Sequence, residues 1–151
     1  GLMAFNAIRE RMRTDKNIIS YEILKPSKSE GERHMEFKNI QHELGYNELM
    51  LRAGVKEWDR ERQSLFYLLS LFEETRKHIT DLYNFDEHCI EFDGLNKGWQ
   101  TGGTNKVTKL AFNLYNGWYG GEGDDYSPLH LFSVSDDNRE YLLEAIRIRF
   151  S

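Results

Sequence analysis

From Met35 onward, apolar residues recur at intervals of three and four, the spacing of one face of an α-helix. Phe37, Ile40 and Leu44 begin the first stripe, and Gly45 either ends that helix or bends it before Tyr46, Leu49 and Met50. The clearest pattern is DRERQSLFYLLSLFEETRKHITDLYNF, in which Leu65, Leu69, Phe72, Ile79 and Tyr83 step around a helix while Leu68, Leu71 and Leu82 widen its apolar face. It predicts one long central helix, capped by Asp59 and running to about Tyr83. A helix beginning near Thr104 carries Val107, Leu110, Ala111, Leu114 and Trp118 on one face, with Lys106, Lys109 and Asn113 opposite and Gly117 as its stop. The last helix opens at Ser135 or Asp136, buries Tyr141, Leu142, Ala145 and Ile146, and places Arg147 and Arg149 near its negative end.

Between these helices lie two short alternations, one through Cys89, Ile90 and Phe92 and one over residues 129–134, each long enough for a brief strand. GWYGGEGDDYSP, residues 117–128, reads as a flexible loop. The expected fold is therefore mainly α: a single compact helical domain of about four to five helices, with room for a short two-stranded β-hairpin.

Residues 1–34 read differently. They hold seven Lys or Arg against five Asp or Glu, +2 in all, which leaves −7 for residues 35–151. Phe5, Ile8 and Met12 have helical spacing, residues 18–24 (IISYEIL) suit a strand, and residues 26–33 make a polar connector. EGERHM, residues 30–35, is encodable by a purine-rich run of the kind that precedes a bacterial start. Two readings stay open: an N-terminal extension of the domain over 35–151, or an over-extended start with Met35 as the natural one.

The chain has 151 residues, enough to close one core without metal or disulfide staples, and 39% hydrophobic with 30% charged residues is the balance of a globular protein. Its one cysteine, Cys89, can form no internal bridge and suits a reducing compartment, so the cytoplasm is the expected location. No apolar run approaches the roughly eighteen residues that a membrane span requires. A net charge of −5 disfavours duplex nucleic acid as a partner.

The sharpest chemical candidate is GLNKGWQTGGTNKVTKLAFNLYNGW, a glycine-rich loop running straight into a helix. Gly102 and Gly103 can aim backbone N–H groups inward, Thr104 and Asn105 stand at the expected helix start, and Lys106 adds positive charge, a combination suited to an anion. It is not a phosphate loop, since Thr104 and Asn105 occupy the places of the Lys and Ser/Thr that motif needs. The plainer reading is a tight turn with Thr104 as helix cap. Trp99 and Trp118, with Tyr115, Tyr119 and Tyr126, crowd these glycine-rich segments and suit stacking or partner contact.

A second candidate is Glu74 with His78, four apart on one helix face, where the carboxylate can orient an imidazole for proton transfer; an ordinary solvated charged face fits as well. His78, Asp81, Asp86, His88 and Cys89 lack any recognisable metal spacing, so neither a metal nor another cofactor is expected. Cys89 paired with His34, His42 or His130 would be a nucleophilic arrangement, but a lone cysteine in an apolar alternation reads first as a small buried hydrophobe.

At SLFYLLSLFEETRKHITDLYNF, GLNKGWQTGGTNKVTKLAFNLYNG and EAIRIRF the chain resembles a small bacterial family of unknown function, met in clostridial genomes and their mobile elements, over about residues 35–151. That resemblance implies the domain limits and a bacterial, intracellular setting, and it brings no activity, cofactor or catalytic residue. Two functions remain in view. One is a non-catalytic binding or accessory protein using the surface from Trp99 to Tyr119 against a protein or a phosphate-bearing small molecule. The other is a small enzyme or binder acting on a nucleotide or phosphate ester held near Thr104, with Glu74 or His78 moving a proton.

Overall fold

The structure is a computed structural model and describes residues 34–151. The helix expected on Phe5, Ile8 and Met12, the strand over 18–24, the connector over 26–33 and the question of the start lie outside the described residues. Residues Glu36–Ser151 form one compact unit.

Helix α1 (Ile40–Ala53) begins where the Asn39 side chain accepts a hydrogen bond from the His42 N–H at 2.8 Å. It passes straight through Gly45 and stops at Gly54, whose left-handed backbone (φ 64°) lets its N–H turn back to the Leu51 carbonyl. The expected stripe is rotated: Phe37 precedes the helix, Ile40 and Leu44 are half-buried, and the buried face carries His42, Glu43, Tyr46 and Leu49.

Helix α2 (Arg60–Leu69) is capped by Asp59 as the sequence indicates, and Leu65, Phe66, Tyr67, Leu68 and Leu69 have no exposed surface. The long helix does not continue to Tyr83. At Ser70 the hydroxyl turns back onto the Phe66 and Tyr67 carbonyls (2.7 and 3.1 Å), and Phe72 is extended (φ −111°, ψ 148°). Two short helices follow, α3 (Glu73–Lys77) and α4 (Ile79–Leu82). The apolar period survives the break because Leu71, Ile79 and Leu82 remain buried on the new course.

The hairpin is present with one strand in an unexpected place: β1 (Tyr83–Asn84) pairs antiparallel with β2 (Cys89–Ile90), Tyr83 facing Ile90 and Asn84 facing Cys89. Residues 129–134 supply no strand; Ser127 caps a short helix α6 (Pro128–Leu131) that has proline at its first turn, where the missing N–H is not needed. A 3-10 turn over Phe92–Asn96 leads to α5 (Gly102–Asn116), and α7 (Asp136–Arg149) closes the unit. The described residues thus form seven α-helices and one two-stranded sheet, a mainly α fold.

Helix α2 is the centre, packing against α5, α7 and α1. Arg62 ties it to the hairpin: its Nε donates to the Tyr83 hydroxyl, one terminal nitrogen to Asp59 and the other to the His88 carbonyl, each at 3.0 Å. No helix of the described residues is long and apolar enough to cross a membrane.

Candidate functional site

Helix α5 starts two residues earlier than the spacing suggests. Thr101, not Thr104, is the cap: its hydroxyl accepts from the Thr104 N–H (3.1 Å), and the Thr104 hydroxyl accepts from the Thr101 N–H (2.8 Å), a reciprocal capping box. Threonine serves at the third helical position in place of the usual Glu or Gln. Gly102 and Gly103 are the first helical residues, and among the described residues their N–H groups meet no acceptor. The flanking polar groups are turned elsewhere. Thr104 is buried and donates to Gln100 Oε1 (2.7 Å), the Asn105 amide donates to the Leu95 carbonyl (3.0 Å), and Lys106 Nζ donates to the Ser133 carbonyl (2.9 Å).

Trp99 reaches back toward the short helices. Its indole lies flat on the His78 ring, with centroids 4.6 Å apart and planes 7° from parallel, and its Nε1 donates to Asp81 Oδ2 at 2.9 Å. The His78 nitrogens stand 3.8 Å from Asp81 Oδ2 and 4.0 Å from Glu74 Oε2, ion-pair range but longer than a hydrogen bond. The structure therefore joins His78 to Trp99 and Asp81 more closely than to Glu74. Nothing in sequence spacing marks the Trp99–Asp81 bond, which spans 18 residues.

Trp118 lies beyond the other end of α5, whose fifteen residues at about 1.5 Å each separate the segments bearing the two indoles by roughly 20 Å. Gly117 (φ 82°) closes the helix, the Asn116 side chain accepts from the Trp118 N–H and the Asn113 amide donates to the Trp118 carbonyl (both 3.1 Å). With its backbone so fixed, the Trp118 ring stacks on Phe92 at 3.8 Å, and Phe92 in turn meets the buried Phe112 edge-on. Phe92 and Tyr119 are exposed (41% and 70%), so an aromatic ledge stands on the core beside the acidic loop bearing Glu122, Asp124 and Asp125. Trp118 Nε1 is shut off from solvent and directed at the Tyr126 hydroxyl, whose phenol is pushed up by burial and by Asp124 and drawn partly back by that indole N–H.

The remaining candidates disperse. Cys89 is exposed on β2, so the expectation of a small buried hydrophobe is corrected. His42 is buried and bonded at both ring nitrogens. Among the described residues no group of three or more His, Cys, Asp or Glu side chains gathers as a metal site would.

Fold and site together define a compact, mainly helical domain with a small hairpin, carrying an aromatic ledge at one end of α5 and a capped helix start at the other. The chain belongs to a family of unknown function (DUF6075), whose model matches residues 32–151. No match was found among the curated proteins or among the solved structures.

Proposed function

We propose that this is a non-catalytic binding protein of the bacterial cytoplasm, an accessory or regulatory factor of a mobile element, whose contact surface is the ledge of Phe92, Trp118 and Tyr119 and whose partner is a protein. The observation that carries this reading is the stacked Phe92–Trp118 pair, held on the core by Phe112 while Phe92 and Tyr119 face solvent. Rigid aromatic rings lose little freedom on contact and dominate the energetics of protein interfaces. The neighbouring acidic loop favours a partner with basic groups and disfavours duplex nucleic acid. An exposed, unbridged Cys89 suits a reducing compartment.

Affinity capture from a bacterial lysate, repeated with Phe92→Ala and Tyr119→Ala, tests it. Each variant is expected to weaken the captured complex by about 2 kcal/mol or more, the scale of an interface hot spot, while Trp58→Ala, an exposed indole outside the ledge, leaves it unchanged. Capture that both ledge variants retain in full would remove the reading.

A second reading, a phosphate-bearing small molecule at the start of α5, draws support from the open N–H groups of Gly102 and Gly103. In an enzymatic form of it, His78 or Glu74 moves the proton. It has less behind it, because Asn105 and Lys106 give their donors to carbonyls of the chain. A phosphate titration followed through Trp99 fluorescence separates the two readings, and silence through the millimolar range removes this one.

A further inference from the structure

Gly45 lies in the interior of α1, where glycine weakens a helix, and the structure gives a reason for it. A Cβ at position 45 would stand 2.6 Å from Arg76 Cδ and 3.5 Å from its Cγ. The Arg76 stem therefore lies directly on the α1 backbone, in a place that any larger residue would deny it. Its guanidinium donates once, from Nη1 to the Ser70 carbonyl at 2.8 Å, which also satisfies a carbonyl left open where α2 ends.

The other donors of that fork have no partner among the described residues, and no carboxylate there lies within 4.0 Å of it. Burial works against its positive charge, with Glu73 countering it only from a distance. Two adjoining clefts of about 500 and 590 Å³ meet at this residue, sharing Gln41, Glu73 and Arg76. That is the size range of small-molecule sites. Lys77 and Glu48 line one cleft and Lys38 the other, while Leu44 and Phe72 give each an apolar wall.

We propose that the paired cleft around Arg76 binds a small ligand carrying a carboxylate or phosphate group, with the free edge of the guanidinium as its anchor. A planar fork with open donors, half withdrawn from water and without an ion pair, is matched by an oxyanion, which takes two parallel N–H bonds where water takes them singly. Lys77 adds charge at one side, the Lys38 ammonium being held by Asn138 and Asp137, and the apolar walls take the body of the ligand. Glu73, which lines both clefts, makes a doubly acidic ligand a poorer fit than a singly charged one.

The test titrates the isotope-labelled full chain with sodium benzoate and, separately, with inorganic phosphate, against sodium chloride at matched ionic strength. Arg76 Nε–H and the amides of Gln41 and Glu73 are followed by nuclear magnetic resonance. A saturable shift at these groups with benzoate alone assigns a carboxylate ligand, with phosphate alone a phosphate ligand, and with both a general oxyanion site; each supports the proposal. Arg76→Lys keeps the charge and a donor for the Ser70 carbonyl but loses the fork, and is expected to weaken binding at least tenfold as read on the amides. Gly45→Ala, which displaces the stem, is expected to do the same. The α2 core amides report whether either variant is folded, and if Gly45→Ala is not, Arg76→Lys decides alone. Lys97→Gln, before α5, is expected to bind as wild type, which separates this cleft from an anion at the α5 start. No saturable shift with either anion, or undiminished binding by folded Arg76→Lys, overturns the proposal.

Discussion

His42 has a defined tautomer because both its neighbours are backbone groups. The Lys38 N–H can only donate, so Nδ1 accepts it (3.1 Å), and the Tyr67 carbonyl can only accept, so Nε2 carries the proton and donates (2.8 Å). The ring is wholly buried and touches Phe37, Tyr67 and Tyr141. Burial lowers its pKa from 6.5 to about 4, against the opposing pull of the Tyr67 carbonyl. A folded-state value below the unfolded one means that the unfolded chain binds the proton first as pH falls. The stability is therefore complete above about pH 6.5 and is lost progressively toward about pH 4, by on the order of 3 kcal/mol from this group. Urea unfolding across that range is expected to show the decline, and a His42 ring resonance that titrates near 6.5 in the folded protein would contradict it.

At the scale of elements, the hairpin carries a local cost that can be relieved. His88 holds a left-handed backbone (φ 56°), which side chains other than glycine adopt at a penalty, while its carbonyl accepts from Arg62. His88→Gly keeps that carbonyl and is expected to raise stability by about 0.5 kcal/mol, or a few degrees in melting temperature, with an unchanged helical spectrum. A fall in melting temperature would show that the His88 side chain matters more than its backbone. This hairpin also marks where pattern reading stops working. The start of α2, the end of α5 and the start of α7 were legible because residue types that favour helix ends stand there: Asp59, Gly117 and Ser135. The break after Leu69 was not, since neither glycine nor proline signals it and the buried positions continue at helical spacing across Ser70. With Tyr83 assigned to the helix, the true partner of Cys89–Ile90 was hidden, and residues 129–134 took its place although Ser127–Pro128 is a helix-start signature.

At the scale of the whole unit Glu36–Ser151, helices α1, α5 and α7 all pack on α2. Leu68 has no exposed surface, and Leu68→Ala removes buried methyl groups from α2, which α1, α5 and α7 all contact. A loss of about 3 kcal/mol is expected in denaturant unfolding, with the same dependence on denaturant as wild type. A loss under about 1 kcal/mol would mean that the neighbouring helices close over the gap. The candidate sites were legible only in part at this scale. Sequence drew attention to Trp99, Trp118 and the glycines between them, yet α5 holds the two indoles at opposite ends, and each takes its partner from distant chain: His78 and Asp81 for one, Phe92 for the other. Gly45 was visible as punctuation, and only the folded chain shows that the stem of an arginine thirty-one positions later rests on it.

The stacking of Trp99 on His78 gives the molecule an optical gauge. The indole belongs to the strand of chain entering α5, while the ring and carboxylate that hold it belong to the turns following the central helix. Light emitted by that side chain accordingly registers whether two stretches far apart in the chain are still seated together, so slippage of either is readable without attaching a label.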